Sequence, residues 1–454
     1  MKTKFNKSIK KNDELEVDIV RMGANGEGIA VHDGIVIFVP FAIVGERVLI
    51  HIINDKNSFL IAKILKIIRP SENRINAPCK YFGKCGGCDL QHMTKQMQSE
   101  IKKDIVCDSL KKYAKIDIEA NNLICGEKDY RYRNKFAFPI NEVDGEIKIG
   151  MYKKNSHQII DIDDCLLQSE RTKTIANCVR EFMIENKVSA YNEQTKKGIV
   201  KHIVAREHGE SFILTVVVND EKFNNFQPLI EKLKTHFLSF GLYKNINLLK
   251  NNVIFGEKDI HLYGLKELEI EEFGIKYFVN NRSFLQVNDE IKCIIYQKII
   301  ELLKGQKIVI DSYSGAGLLS SIIAKNVEQV YGIEIIKEAT QNAEKLKKMN
   351  NLYNLTNKNR DCAVELPNLA KSLGSDFAVV VDPPRKGLDK KVVDAFLESK
   401  PQKIVYLSCN PSTLARDVGF MIEQYNITFC QPYNMFPQTA QVETLICLEL
   451  KSAN

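Results

Sequence analysis

Ser408-Cys409-Asn410-Pro411-Ser412 follows an apolar run, Lys403 to Leu407, and a helix is predicted to start at about Ser412. The positive end of a helix stabilises a thiolate, so Cys409 is a candidate nucleophile; inert packing is the alternative. Asp311-Ser312-Tyr313-Ser314-Gly315-Ala316-Gly317 follows another such run, Lys307 to Ile310. Its glycines let backbone approach a ligand at a helix start, although a tight turn would also use them. Gly332-Ile333-Glu334 closes the next run, and an acid about twenty residues beyond such a loop accepts hydrogen bonds from both ribose hydroxyls. Val379-Val380-Val381 leads into Asp382-Pro383-Pro384-Arg385. The prolines remove two donors there and leave carbonyls and the Asp382 carboxylate facing outward. A dinucleotide fingerprint needs a third glycine at position 320, where Ser320 stands. Nucleoside binding is therefore favoured over a nicotinamide oxidoreductase.

A second group is built from sulfur. Cys79, Cys85 and Cys88 supply three positions of a tetrahedral set, and a fourth ligand is required. His92 would complete a Cys3His zinc site, and spacing alone does not choose between zinc and an iron–sulfur cluster. The chain has 454 residues and twelve cysteines, and in a long chain without an export signal such clusters bind metal or catalyse. Cys107, Cys125, Cys178, Cys293, Cys362, Cys430 and Cys447 are scattered and read as packing.

Three regions must position these groups. Residues 1–70 carry short β-rich runs such as Glu16 to Val20 and Ile35 to Val39, punctuated by Gly23, Gly26, Gly28 and Gly45. Five short strands are expected there, as an OB-like barrel. Residues 71–93 and 126–283 read as an α+β domain. Residues 94–125 and 284–454 read as an α/β, Rossmann-like, doubly wound domain, because strands and helices alternate strictly from Leu285 onward. In such sheets ligands bind beyond the carboxyl ends of the strands.

Composition bounds the function. The chain is 44% hydrophobic and 27% charged, which excludes collagen-like, coiled-coil and wholly disordered classes. A net charge of +7 suits a polyanionic partner. Lys95, Lys102, Lys103, Lys111, Lys112 and Lys115 precede Tyr130-Arg131-Tyr132-Arg133-Asn134-Lys135, an expected RNA surface of interleaved basic and aromatic residues. A solvated helix face is the alternative for the lysines. No membrane helix is expected. Met1 to Asn12 has five lysines and no apolar core, so it does not read as a signal peptide and a cytoplasmic location is expected.

These motifs together resemble the class I, S-adenosyl-L-methionine-dependent RNA uracil-5-methyltransferases. The resemblance rests on Asp311 to Gly317, Gly-Ile-Glu334, Asp382-Pro-Pro-Arg-Lys-Gly and Ser-Cys409-Asn-Pro-Ser-Thr-Leu-Ala-Arg. Ser283-Phe-Leu-Gln286-Val-Asn288, Tyr130 to Lys135 and Gly150 to His157 extend it over nearly the whole chain. It implies that Gln286, Tyr313, Glu334 and Asp382 bind S-adenosyl-L-methionine, that Cys409 is the nucleophile, and that Glu443 abstracts a proton. Without the resemblance Glu443 reads as an ordinary exposed glutamate on a terminal strand. Ser314 departs from the cysteine that many relatives carry. The resemblance also implies a TRAM barrel at the N-terminus and a [4Fe-4S] cluster on Cys79, Cys85, Cys88 and Cys165. The barrel and cysteine set are similar to the 23S ribosomal RNA branch, so a monomer methylating a flipped uridine of 23S rRNA is expected. The T-loop uridine of tRNA is the alternative substrate, and a non-catalytic zinc-ribbon RNA-binding protein is the alternative class.

Overall fold

The computed structural model describes residues 9–374 and 376–452, so most of the lysine-rich N-terminal stretch lies outside the described residues. Six strands, not five, open the chain: β1 (Glu14–Asp18), β2 (Arg21–Met22), β3 (Gly28–His32), β4 (Ile35–Val39), β5 (Arg47–Lys56) and β6 (Phe59–Arg69). They pair in the order β1-β5-β6-β4-β3-β2. Alternation sends Ile35, Ile37, Val39, Val48, Ile50, Ile52, Leu60 and Ala62 into one buried core, round which the sheet curls. The two-residue β2 is too short to leave a periodic signal. Helix α1 (Lys95–Ser109) starts on Thr94, whose hydroxyl accepts from the Met97 N–H. Its apolar face, Met97, Ile101, Ile105 and Val106, packs with Leu414 and Val418 near the C-terminus.

The middle of the chain gives β7 (Lys135–Val143), β8 (Glu146–Tyr152), β9 (Ile159–Asp161), α2 (Glu170–Glu185), β10 (Val200–His208), β11 (Ser211–Val218), α3 (Gln227–Lys234), β12 (Phe240–Ile246) and β13 (Lys258–Gly264). The sheet order is β13-β12-β11-β10-β7-β8-β9, and α2 and α3 share its core. A hairpin of β14 (Leu268–Glu272) and β15 (Ile275–Val279) follows. Grouped with the α+β region from sequence, it buries Leu268, Ile270, Ile275 and Val279 beside Ile291, Val309 and Leu319 of the C-terminal region.

The C-terminal region begins with α4 (Asp289–Leu302), whose Asn288 cap accepts from the Ile291 N–H. The alternating pattern then appears as β16 (Ile308–Ser312), α5 (Leu318–Ala324), β17 (Gln329–Glu334), α6 (Lys337–Met349), β18 (Leu355–Asn359), α7 (Cys362–Leu373), β19 (Ala378–Val381), α8 (Lys390–Ser399), β20 (Lys403–Ser408) and α9 (Pro411–Met421). Two further strands close the sheet, β21 (Tyr425–Tyr433) and β22 (Glu443–Leu450). The order is β18-β17-β16-β19-β20-β22-β21. The first five are parallel, while β22 runs antiparallel to both its neighbours. The order reverses between β16 and β19, and the ligand crevice of such sheets opens there.

Gly317 caps α5 at φ 83°, and a Cβ added there would stand 2.7 Å from the Ala343 Cβ and 3.1 Å from its Cα. Both the left-handed backbone and the contact with α6 exclude a side chain. Gly317→Ala is expected to cost about 1–3 kcal/mol; thermal unfolding of the two proteins measures it.

Candidate active site

Tyr313, Glu334, Asp382, Cys409 and Glu443 all lie at the carboxyl edge of the C-terminal sheet. The loop after β16 turns through Tyr313 at φ 67°, Gly315 at 56° and Gly317 at 83°. Glu334, at the end of β17 and 8% exposed, accepts from the Gly315 N–H (3.0 Å) on one carboxylate oxygen and from the Ile336 N–H (2.8 Å) on the other. Its carboxylate is thereby fixed over the loop with lone pairs to spare. Ser320, where a third glycine would stand, donates its hydroxyl to the buried Asp311. Burial pushes the Asp311 carboxyl up to about 7, and the Asp382 and Glu334 charges push the same way. Gln286 comes from a separate loop before α4. The Asn134 side-chain amide holds it by donating to the Gln286 carbonyl and the Asp289 carboxylate, each at 2.9 Å.

Cys409 stands half-buried between β20 and α9. Because β22 is antiparallel to β20 with Ser408 paired to Thr444, the next position sets Glu443 against Cys409. Glu443 is 2% exposed, the opposite of the surface glutamate that sequence alone suggests. Burial raises the Cys409 thiol, and Glu443 raises it further; the positive charge of the nearby Arg385 guanidinium opposes both. Burial and the neighbouring Asp382 hold the Glu443 carboxyl well above its ordinary value, with Arg385 again opposing. Asp382 is raised to about 7 by burial. Two acids, one thiol and one guanidinium thus share a poorly solvated corner.

Arg385 was given no role by sequence reading, although its place after two prolines marks a stiff, outward-facing loop. Its carbonyl accepts from the Asn410 amide (3.0 Å) and the Thr413 hydroxyl (3.3 Å). The loop beyond it is held by buried Asp417, which accepts from the Leu388 N–H and the Tyr406 hydroxyl, each at 2.8 Å.

Residues 434–442, between β21 and β22, deliver Glu443. Lys102, fully buried, donates to the Asn434 side chain (2.6 Å) and the Phe436 carbonyl (3.0 Å). The Tyr132 hydroxyl donates to the Pro437 carbonyl (3.2 Å), and the Asp89 and Leu90 N–H groups both donate to the Gln438 carbonyl at 3.0 Å. These contacts take two residues of the expected RNA surface into the interior, while Lys95, Lys111, Lys112 and Lys115 remain exposed. Lys102 and Tyr132 are interior pins. Arg131 is occupied by both oxygens of Asp164 (2.7 and 2.6 Å), and Lys95, Lys103 and Lys111 pair with Asp129, Glu119 and Asp117.

Cys79, Cys85, Cys88 and Cys165 line one cavity of about 310 Å³ together with Phe136, Met151 and Ile162. Among the described residues, no three His, Cys, Asp or Glu side chains are gathered as a metal ion requires. The Gly87 N–H donates to the Cys85 sulfur (3.4 Å), and Gln91 donates to the Cys88 sulfur (3.1 Å) while accepting from the Cys79 N–H (3.2 Å). His92 does not line this cavity. It is buried beside the rings of Phe82 (5.3 Å) and Phe41 (5.9 Å), so it is not brought to the thiols as a Cys3His ligand.

This geometry defines a class. The chain superposes on the structure of a Pyrococcus abyssi tRNA (uracil-54, C5)-methyltransferase in complex with S-adenosyl-L-homocysteine, with a TM-score of 0.77 and 26% identity, covering 96% of this chain and 100% of that one. The sheet with its one reversed strand is that of the class I methyltransferases, and residues 10–65 match the TRAM domain. Residues 94–451 match the tRNA (Uracil-5-)-methyltransferase model, and the chain belongs to that family. Uncharacterized RNA methyltransferases of Clostridium acetobutylicum and Listeria monocytogenes are 37% and 34% identical. The first alignment covers 97% of this chain and 98% of the relative, the second 98% of each.

Removing Arg385 removes the cation that favours the thiolate. In Arg385→Ala the Cys409 alkylation-versus-pH curve should therefore move to higher pH. About tenfold slower alkylation at pH 8 corresponds to one pKa unit, read by peptide mass spectrometry.

Proposed function

We propose that the protein methylates C5 of a uridine in RNA through a covalent adduct at Cys409. The opposition of Cys409 and Glu443 on neighbouring strands, at the edge that carries the glycine loop and Glu334, is the observation that supports this reading most strongly. Gln286, Tyr313, Glu334 and Asp382 are the residues that would hold S-adenosyl-L-methionine, which supplies an electrophilic methyl group when bound. The Cys409 thiolate adds to C6 of the uracil, and the C5–C6 π pair moves to C5, making that carbon nucleophilic. After C5 has gained its methyl group, the Glu443 carboxylate takes the C5 proton, the C5=C6 bond re-forms and the sulfur leaves C6. Arg385 favours the thiolate at the start. Both faces of the ring are used, so the uridine must leave its stack.

The favoured substrate is 23S rRNA, supported by the barrel and the cysteine set. The T-loop uridine of tRNA is the second reading, and a specific observation favours it. The Pyrococcus abyssi neighbour is by name a tRNA enzyme, and this chain matches it over its whole length. Possession of a barrel therefore does not by itself select ribosomal RNA. Mapping 5-methyluridine in 23S rRNA and tRNA from wild-type and deletion cells decides between them, and loss of the modification from neither would refute the enzymatic reading. Cys409→Ala should abolish both methylation and the covalent complex with 5-fluorouridine RNA. Glu443→Gln should keep that complex, lose turnover, and accumulate a methylated adduct on ordinary RNA, visible as a gel-shifted band.

The four-thiol cavity suits a [4Fe-4S] cluster held by Cys79, Cys85, Cys88 and Cys165. Four thiols face one space, its remaining walls are partly apolar, and N–H groups already point at two of the sulfurs, as cluster thiolates accept them. The cluster would cross-link the loop before α1 to the segment before α2. Anaerobically purified protein should be brown with about four irons per chain; a colourless, zinc-loaded chain would overturn the assignment.

A further inference from the structure

The space in front of Cys409 has a wall that the uracil chemistry leaves unexplained. In β4 and β6, Ile37, Val39, Leu60 and Ala62 fill the barrel core and are at most 1% exposed. The opposite face of the same strands carries Phe38, Phe59 and Ile61, where alternation calls for polar, water-facing residues. Phe38 and Phe59 meet edge to face with centroids 5.2 Å apart. Parallel pairing of Phe38 with Ile61 fixes these side chains on one patch. The patch does not support the barrel. It lines a cavity of about 890 Å³ whose other wall holds Cys409, Arg385 and Asn410.

Size and apolar lining both point to a longer ligand than one base. Sites for whole drug-sized molecules occupy roughly 300–1,000 Å³, so this volume exceeds the needs of a single uracil. Arg385 lies on the Cys409 side of the patch, and on the other side Phe41 also faces the cavity, its ring 5.7 Å from Lys154, which is paired with Asp89. Aromatic rings exposed beside the reacting position match a single-stranded nucleic acid, whose bases stack on such rings.

We propose that Phe38 and Phe59 form a stacking subsite for the base of a nucleotide flanking the modified uridine. The inference rests on the RNA-methylating reading and adds a second recognition point to it. Stacking the neighbour on the barrel holds the strand splayed while the target base stands at Cys409, so the barrel acts on substrate geometry as well as on affinity. Because every base has a π face, the subsite takes any base and requires only that one be present.

The test uses full-length protein and oligoribonucleotides spanning the mapped uridine, either intact or with an abasic residue at one flanking position. Phe38→Ala and Phe59→Ala should each weaken binding of intact RNA about ten- to hundredfold. Wild type should lose a similar factor on the RNA that is abasic at the stacked position, and the variants should lose nothing further on it. Phe38→Tyr keeps a ring and should retain wild-type binding, which separates stacking from damage to the barrel. Equal losses by the variants on intact and on every abasic RNA, or no loss on intact RNA, would overturn the subsite. Wild-type protein that binds these RNAs but forms no adduct with their 5-fluorouridine forms would instead refute the enzymatic reading, with the stacking comparison still readable.

Discussion

The antiparallel pairing of β22 with β20 is the constraint on which the site depends. Five parallel strands send their carboxyl ends to one edge, so a residue at the start of a strand reaches that edge only if its strand is reversed. Reversal places Glu443 opposite Cys409, and a slip of one residue would turn it to the other face of the sheet. Leu445 and Cys447 pack into the core on one face of the sheet and Ile446 and Leu448 into the core on the other, so a slip would also exchange side chains between two packed cores. The packing that stabilises the strand and the alignment that gives it chemistry are one requirement.

Electrostatics in that corner follow from poor solvation. Burial disfavours the charged forms of Cys409, Glu443 and Asp382, and their mutual repulsion adds to it. Arg385 offsets part of the cost, and the chain spends several hydrogen bonds on holding the Arg385 loop in place. A thiol and an acid whose proton affinities are both raised, beside a fixed guanidinium, suit groups that must exchange protons during a reaction.

Much of this was legible in the sequence. The alternation of strands and helices after Leu285, the glycine loop, Glu334, Asp382 and Cys409 announce themselves because each sits where an apolar run ends. β12 is harder to see because Lys244 and Asn245 interrupt it, yet both are buried; Lys244 donates to the Glu221 and Phe223 carbonyls. Within the Tyr130 to Lys135 motif, Tyr132 and Asn134 are buried and the other four residues half-buried, which the alternation of residue types does not show. Composition reports that basic and aromatic residues alternate, but not that Asp164 and the Pro437 carbonyl are waiting for them. The burial of Glu443 depends on strand order, a long-range property that no local window contains.

Asp89 and Leu90 meet Gln438, and Asp89 also meets Ala440, 351 residues further along the chain. A chain synthesised from its N-terminus can complete the barrel early, since domains fold as units in that order. The loop bearing Cys85 and Cys88 has two sets of partners: Tyr152 and Asp163 of the middle region, made early, and Gln438 and Ala440, made among the last. The walls of the thiol cavity run from Cys79 to Gln168 with Val287, so all of them exist before the final two strands are made. Only the anchoring of that loop to the segment that delivers Glu443 waits for the end of the chain.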